Sequence, residues 1–476
     1  MLNFIDQSVI ILFFLWIIFI GIKNVRKIEN INMFAVGTRS FSTFSLFATI
    51  TSTWVTGSMF FVDLSGVYFN GLKYYLPCFG MIFSIIIIGW FIAPRIKKFL
   101  GQTSIAEVIR KEYGEHIGSI TALAGFIGLS GMIAIQFKVF GEIGYSFFGL
   151  PQKWSLIIIS SIIIFYTVFG GIQSVVKTDV IQLICFFISL PFVGIIFYYI
   201  FKEQNSVNIF EVDKFNITKF IYEKDFDWKE MLYLTLYFTI PAIRPDDFQR
   251  LTMAFSTKQS RNSYLYSACG VFVISIIILA FPLGLFVINP NLKSNELINT
   301  LLTHISYIPF LKVILSLGII SMAMSTADSF LNIGGILISN DFYFFKNFND
   351  EQKLLNTRYC VVGLGIMSII LGLSKNDLLS IVLLSYAFYM PIVTPLILTL
   401  IFGFKTTPRC AFLAIGTAFV YVVIFKIILN PNFNIIPLGM LLNITILFSS
   451  HFIIEKWELL KCFGITSRLK TIKGAN

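Results

Sequence analysis

The sequence is short of charged side chains and of the residue patterns that catalysis or tight metal binding requires. Only 13% of its 476 residues are charged, whereas 56% are hydrophobic, and the mean hydropathy is +0.82. The six cysteines form no CxxC pair and the three histidines lie far apart, so neither a disulfide framework nor a metal cluster is visible. GxSxG, HExxH and GxxxxGK motifs are absent, and nothing supports a hydrolase, a protease or an ATP-driven pump. We therefore expect neither an enzyme nor an organic cofactor.

What the sequence has instead is a series of long apolar runs. A window of roughly 20 residues, the length of helix that spans a bilayer, fits about 13 of these runs. The first, near 4–22, is followed by GIKNVRKIEN without a small-residue cleavage site, so we interpret it as a retained helix. The sequence thus predicts an all-α polytopic membrane protein with about 13 transmembrane helices.

The distribution of basic residues predicts an orientation in the membrane. Most of the 36 Lys and Arg residues fall in the alternate connections that begin at Lys23. By the positive-inside rule, we expect the N-terminus outside and the basic C-terminal tail in the cytoplasm. The expected location is the plasma or inner membrane of the cell. We interpret the net charge of +11 as this topology signal. The expected partners are the lipid bilayer and a small solute, not nucleic acid, and no obligatory protein partner is evident.

Two of the predicted spans are interrupted. In FSLFATITSTWVTGSMFFVDLSGVYFNG, a series of hydroxyl residues runs up to Gly57, and in EMLYLTLYFTIPAIRPDDFQRL, Thr235 and Thr239 precede Pro241 and Pro245. Unwound backbone at membrane depth is tolerated where it lines a cavity or binds a ligand. Five spans separate the two breaks, which fits two five-helix halves of inverted topology whose broken helices meet at a midplane site.

A polar turn lies inside a third apolar run, in SMAMSTADSFLN at positions 321–332. Ser325, Thr326, Asp328 and Ser329 crowd together there. A single membrane hydroxyl commonly bonds to its own helix or to a neighbouring one, which is the structural interpretation. A lone aspartate at the membrane centre, however, costs roughly 2.5 to 3.5 kcal/mol on insertion scales, so the cluster favours a functional site.

Four blocks of sequence resemble the sodium/solute symporters, the family of sodium/proline, sodium/pantothenate, sodium/glucose and sodium/sialic-acid carriers. The resemblance runs from about Gly37 to Pro408, through GTRSFSTFSLFATITSTWVTG, FGGIQSVVKTDVIQ, PDDFQRLTMA, and AMSTADS followed by ISNDFY. It implies a LeuT-type core of five plus five inverted helices. We expect an extra N-terminal helix and cytoplasmic loop over 1–41, the transporter core over 42–402, and two further helices with a basic tail over 403–476.

The resemblance also implies a sodium site and a cation route. By position, the two adjacent hydroxyls of the family's sodium site fall on Ser325 and Thr326, and its backbone carbonyls fall on Met322, Ser52 and Val55. The coupling ion would be Na⁺, for which neutral oxygen ligands allow release in every cycle. An acidic residue of the family's cytoplasmic cation route corresponds to Asp179.

Gate residues follow from the same resemblance. We expect Arg250 to pair with Asp246 or Asp247 as a cytoplasmic gate. An equal alternative is that Arg250 only anchors its helix on the cytoplasmic side, as the positive-inside rule describes. We also include Asp63 among the gate candidates, although it has no counterpart in the family. It could face the external vestibule and attract a cation or an amine, or it could be a satisfied polar residue near the external end of its span.

Two departures weaken a sodium/proline assignment. Trp54 stands where the family's proline carriers have an important aspartate, and Lys177 replaces the signature tryptophan. For the substrate we expect contacts from the four residues Thr56, Ser58, Gln136 and Tyr237. Lys138 could hold a substrate carboxylate, with snorkelling to the interface as its alternative.

The predicted function is secondary active transport by alternating access, in which the uptake of a small polar organic solute is coupled to symport of Na⁺. An amino acid or another carboxylate is the favoured solute. A proton-coupled or uncoupled carrier, and a solute sensor built on the same fold, stay as alternatives.

Overall fold

The computed structural model describes residues 4–23, 28, 30–204, 212–216, 219, 228–294, 296–306, 308, 310–342, 348–374, 378–428 and 436–462. These residues form helices and their connections, without a strand. The helices are α1 Phe4–Lys23, α2 Ile31–Ala35, α3 Thr43–Trp54, α4 Gly57–Asn70, α5 Leu76–Ile87, α6 Ile105–Tyr113, α7 Glu115–Phe148, α8 Gln152–Gln204, α9 Trp228–Thr239, α10 Pro245–Thr252, α11 Thr257–Ile288, α12 Leu297–Ile305, α13 Leu311–Asp341, α14 Asp350–Gly372, α15 Leu378–Ala387, α16 Met390–Ile401, α17 Pro408–Val422 and α18 Ile436–Cys462.

The first predicted break separates α3 from α4, which meet at 47°. Helix α3 ends with Val55 as its C-cap, and Thr56 begins the next helix as an extended N-cap whose hydroxyl accepts from the backbone N–H of Met59. This cap satisfies one of the backbone donors that a helix start leaves without an intrahelical partner. The break therefore frees backbone carbonyls at the end of α3 without unravelling α4.

The second predicted break separates α9 from α10. Residues 240–244 between them are not helical, and Ile243 has a φ of 27°. Pro245 occupies the first turn of α10, where its missing N–H has no helical partner to lose. A third bent pair joins α15 to α16 at 54°.

Helix α8 contains a further break that the sequence suggested only as a gap between two spans. Gly171 has φ 56° and ψ −177°, a backbone conformation that glycine tolerates best. The 46 residues Gln152–Phe197 would reach about 69 Å as a straight helix, more than twice the apolar thickness of a bilayer. They are long enough for two crossings joined at Gly171.

The number of spans differs from the predicted value. Among the described residues, nine helices are long and apolar enough to cross a membrane, or eleven if each bent pair is one span. The count of about 13 is therefore not confirmed. Two of the predicted spans, near 154–169 and 178–200, lie in the single helix α8, and a third, near 230–243, corresponds to α9, which has only 12 residues.

Helix α13 lies at the centre of the protein. It packs against α7, α8 and α14, and 89% of the residues in its most apolar 18-residue stretch are buried. The polar turn of Ser325, Thr326, Asp328 and Ser329 is fully buried within it. Because those side chains are shielded from lipid, their polar atoms face neighbouring helices, and the site is built there.

Candidate functional site

A cavity of about 130 Å³ lies beside the break between α3 and α4. Its wall is mostly apolar, and α4, α5, α7, α9 and α15 all contribute to it. The polar, charged and aromatic residues of the wall are Trp54, Thr56, Ser58, Asp63, Tyr74, Cys78, Ser84, Tyr237, Phe238, Arg244 and Tyr386. The two predicted broken segments thus meet at one cavity.

Three of the four expected substrate residues line this cavity, and the fourth supports one of them. Thr56, Ser58 and Tyr237 are in the wall. The side-chain amide of Gln136 donates to the Ser58 hydroxyl at 3.0 Å, and its carbonyl oxygen accepts from the Ser58 backbone N–H at 3.3 Å. Gln136 therefore fixes the first turn of α4 from behind.

Lys138 lies in a different place. It lines a larger open depression of about 1010 Å³, together with Glu142, and its ammonium donates to the backbone oxygen of Ser374 at 3.1 Å. Val62 and Tyr74 line both the depression and the cavity. The two spaces are therefore neighbours separated by a thin wall, and Lys138 is on the far side of it.

The expected sodium-site residues come together where α13 passes the end of α3. The hydroxyl of Ser325 lies 3.0 Å from the carbonyl oxygens of both Ser52 and Met322. The hydroxyl of Thr326 lies 3.4 Å from the Ser52 oxygen and 3.0 Å from the Met322 oxygen. Val55 follows three residues after Ser52, at the bend itself.

The close approach of these two helices depends on Gly57. A Cβ atom at Gly57 would lie 2.5 Å from the Cβ and 2.9 Å from the Cα of Ala323. No larger residue fits there without separating α4 from α13. The glycine that marked the break in the sequence therefore also brings the polar turn to it.

These oxygens suit a hard monovalent cation. All four come from hydroxyls or backbone carbonyls, and helix ends and unwound carbonyls of this kind coordinate Na⁺ in discontinuous transporter helices. Within the described part of the chain, no group of three or more His, Cys, Asp or Glu side chains could hold a metal ion. Neutral oxygens hold a cation less tightly than carboxylates do, which suits a site that has to release its ion.

The expected gate pairing of Arg250 with Asp246 or Asp247 is not the one in the structure. Arg244, which we did not select, donates to Asp246 and to Asp247 at 2.9 Å each. Arg244 also donates to the Tyr386 hydroxyl at 3.4 Å. Its guanidinium carbon lies 4.2 Å from the centre of the Trp54 ring. The extended residues before α10 turn Arg244 back over the first turn of that helix, where both carboxylates are.

Arg250 points instead into the protein core. It donates to the Ser329 hydroxyl at 2.6 Å and lies 3.9 Å from Asp179. The Thr49 hydroxyl also donates to Asp179. Asp179 therefore contacts α3 about one turn before Ser52, and Arg250 is buried and not a surface anchor.

Asp328 is held by a separate set of donors. The Tyr166 hydroxyl donates to it at 2.9 Å and the Thr178 hydroxyl at 3.5 Å. These contacts compensate part of the cost of burying a carboxyl group at this depth. Neither donor was selected from the sequence, because only the fold brings α8 against α13.

Asp63 lies in the wall of the cavity and not in the open depression. Only 3% of its surface is exposed. One carboxylate oxygen is 3.6 Å from the Cys78 sulfur, and the other has no hydrogen-bond partner among the described residues. The structure thus places Asp63 with the substrate residues, whereas the sequence assigned it to a gate.

A profile of the sodium:solute symporter family matches residues 34–417. The chain belongs to this family. The resemblance deduced from the four blocks is confirmed, and with it the prediction of a multi-pass membrane transporter rather than an enzyme. The family makes Na⁺ the coupling ion that these transporters share.

Two relatives illustrate how the match is distributed. High-affinity choline transporter 1 of Drosophila melanogaster is 31% identical over 217 residues, which are 45% of this chain and 35% of that protein. Sodium/proline symporter 2 of Staphylococcus saprophyticus is 22% identical over 447 residues, 89% of this chain and 86% of that protein. The match to the choline transporter thus spans about a third of that relative's length.

A solved structure shows the same fold. A Na⁺-coupled sialic acid symporter in a substrate-bound outward-open state superposes with a TM-score of 0.80 at 19% identity, over 93% of this chain and 97% of that one. The predicted fold class, an all-α membrane protein with an inverted-repeat LeuT-type core, is confirmed.

Proposed function

We propose that the protein carries a small organic solute into the cell together with Na⁺, by alternating access. The observation that carries this proposal is the meeting of the Ser325 and Thr326 hydroxyls with the Ser52 carbonyl at the break between α3 and α4. A cation bound among these oxygens would join α3 to α13. The cavity begins two residues beyond Ser52, at Trp54, so the two sites share one broken helix.

This arrangement couples the two ligands physically. Na⁺ would be held by Ser52, Val55, Met322, Ser325 and Thr326, and the solute would contact Thr56, Ser58 and Tyr237. A cation that fixes the end of α3 also orders the N-cap Thr56, whose hydroxyl is hydrogen-bonded to Ser58 at 2.9 Å. Each ligand then favours the state that binds the other, as reciprocal linkage demands.

The energy for uptake comes from the sodium gradient and the membrane potential. One charge moving through the membrane gains roughly 2.3 kcal/mol per 100 mV. We also propose an external N-terminus and a cytoplasmic C-terminus in the plasma or inner membrane, as the Lys and Arg distribution favours.

The other residues have supporting roles in this proposal. Asp179, which contacts α3, and Arg250, which contacts the polar turn, would form part of the cation's release route. Arg244, with Asp246 and Asp247, would hold the second broken segment against Trp54. We retain 42–402 as the transporter core, with 1–41 and 403–476 added at its ends.

The size of the solute is limited by the cavity. A pocket of about 150 Å³ accommodates a molecule such as benzene, and the cavity here is of about 130 Å³. Relatives named as carriers of choline and of proline are consistent with a solute in this range.

Uptake into proteoliposomes tests the proposal. The purified full chain would be reconstituted and offered a panel of small labelled solutes under an inward Na⁺ gradient, an inward proton gradient, or neither. We expect concentrative uptake of at least one solute under the Na⁺ gradient alone. Uptake driven by protons, or uptake that only equilibrates, would favour the proton-coupled or uncoupled alternative, and binding without uptake would favour the sensor.

A further inference from the structure

Asp63 places a carboxyl group without a basic partner among the described residues in the wall of the substrate cavity. Its carboxylate is buried in the wall, with Cys78 as the hydrogen-bonding side chain on one oxygen and no partner on the other among the described residues. No basic side chain in the described part of the chain forms an ion pair with it. A buried carboxylate without a positive partner is costly. A positively charged ligand would remove that cost.

The single guanidinium in the wall does not balance Asp63. Arg244 is held by two carboxylates, those of Asp246 and Asp247, and its remaining donor nitrogen reaches Tyr386. Arg244 and its two acids together carry a net charge of about −1 if all are ionised. With these groups ionised, a substrate carboxylate would meet an excess of negative charge and no unengaged basic donor among the described lining residues.

The rest of the wall is suited to an apolar, positively charged group. Five aromatic side chains contribute to it, those of Trp54, Tyr74, Tyr237, Phe238 and Tyr386. The faces of such rings attract cations, with about 0.5 to 2 kcal/mol for each well-placed contact, and sets of rings recognise quaternary ammonium groups. The wall thus provides both a carboxyl group as a countercharge and several ring faces that attract a cation.

Hydroxyls of the cavity wall that already form hydrogen bonds are poor partners for further N–H donors, and this favours some kinds of amine over others. A primary ammonium group has three N–H donors that all need partners when buried. The hydroxyls that α4 and its N-cap contribute to the cavity wall are those of Thr56 and Ser58, which are already hydrogen-bonded to each other, to Met59 and to Gln136. An alkylated ammonium group has fewer donors or none, so it matches this wall better.

From this geometry, and resting on the proposed transport function, we propose that the solute is a small alkylated ammonium compound whose cationic head lies between Asp63 and the aromatic rings of the cavity. This assigns Asp63 a substrate-binding role. It also replaces the expectation of an amino acid or another carboxylate, which rested on no residue of the cavity.

Equilibrium binding to the purified full chain in nanodiscs tests the proposal without relying on transport. The probe is labelled choline in sodium-containing buffer, with competition by 3,3-dimethylbutan-1-ol, a neutral analogue of the same shape. We expect saturable choline binding and at least tenfold weaker binding of the neutral analogue, which corresponds to about 1.4 kcal/mol. Equal affinity of the two probes, no saturable choline binding, or stronger competition by proline or acetate than by choline would each overturn the proposal.

A variant adds the residue-level test. Asp63→Asn preserves the shape of the side chain and removes its charge, and we expect it to weaken choline binding at least tenfold while leaving the affinity for the neutral analogue within twofold. The matched control is Asp213→Asn, whose carboxylate is 82% exposed in a connecting segment. Unchanged choline affinity in a folded Asp63→Asn protein would refute the role of Asp63. If that variant does not fold, the comparison of the two probes on the unmodified protein decides.

The two proposals fail in different ways. Sodium-driven uptake of proline without choline binding would overturn the ammonium site and leave the symport proposal intact. Choline binding that depends on Asp63, without any sodium-driven uptake, would overturn symport and leave the site.

Discussion

The hydroxyl of Ser325 lies 3.0 Å from the backbone carbonyl oxygen of Ser52, 273 residues earlier in the chain. Thr326 reaches the same carbonyl at 3.4 Å. Two neutral side chains on a continuous central helix thereby meet the end of a broken one. A cation shared by the two would fix their separation, which gives the sodium dependence of transport a structural basis.

Replacing both hydroxyls should weaken sodium coupling. We expect Ser325→Ala combined with Thr326→Ala to raise the Na⁺ concentration for half-maximal uptake at least tenfold, because the loss of about 1.4 kcal/mol of binding is a factor of ten. Uptake into proteoliposomes at varied Na⁺ is the measurement. Ser368→Ala is the matched control, since Ser368 is also a buried helix hydroxyl but donates to its own helix at Leu364. An unchanged Na⁺ requirement in the folded double variant would refute this site.

Gly57 should be intolerant of a methyl group. The added Cβ of Gly57→Ala would overlap both Cα and Cβ of Ala323, so α4 and α13 must separate and the sodium site must widen. We expect a reduced apparent Na⁺ affinity and a lower unfolding midpoint. Adding Ala323→Gly removes the shorter of the two overlaps and should restore part of the loss, which a double-mutant cycle measures.

The control for that cycle is Gly363→Ala, where no atom lies within 4 Å of the added Cβ. Because alanine is the better helix former, this variant should be neutral or slightly stabilising. If Gly57→Ala behaved as Gly363→Ala does, the close helix contact would have no functional importance.

Arg244 should be required for stability as well as for transport. Arg244→Ala leaves Asp246 and Asp247 buried without a cation, and breaking a buried pair from one side typically costs about 3 to 5 kcal/mol. We expect a large fall in the thermal unfolding midpoint in nanodiscs. Lys405→Ala breaks an ion pair with Glu112 whose lysine is 61% exposed, and it should change the midpoint little. Similar midpoints for the two variants would show that the buried cluster is not a structural anchor.

Asp179 and Arg250 should act on the cation and not on the solute. Asp179→Asn removes the carboxylate that Arg250 and the Thr49 hydroxyl contact. We expect at least a tenfold lower uptake rate with solute affinity changed less than threefold in equilibrium binding. A loss of solute affinity as large as the loss of rate would place Asp179 in the solute site instead.

The sequence was most informative where a residue type is rare at membrane depth. The hydroxyl run before Gly57 and the polar turn around Ser325 both conflict with an apolar span, and the structure brings the two together. The helical spacing of Thr56, Met59 and Asp63 could also have placed Asp63 on the cavity face of α4, because positions three and four apart lie on one side of a helix. This spacing is therefore a sequence signal for the position of Asp63.

Other features of the site could not be deduced from local patterns. The pairing of Arg244 with Asp246 and Asp247 depends on the reversal of the backbone at Ile243, which the sequence does not specify. The sequence around Tyr166 and Tyr386 does not distinguish them from other membrane tyrosines. Their contacts with Asp328 and Arg244 form only when α8 and α15 pack against their neighbours. The count of spans was uncertain for a related reason, since apolarity alone does not show whether a long run bends once or continues.

The conformation of Gly171 has a consequence for the N-terminal segment. A Cβ there would lie 2.9 Å from Ile28 and 3.1 Å from Phe34, so the connection that follows α1 fills the joint between the two crossings of α8. A shortened chain that began at position 42 would retain the broken helices but leave this joint unpacked. We therefore expect a chain that keeps Ile28 and Phe34 to unfold at a higher temperature than one that begins at position 42.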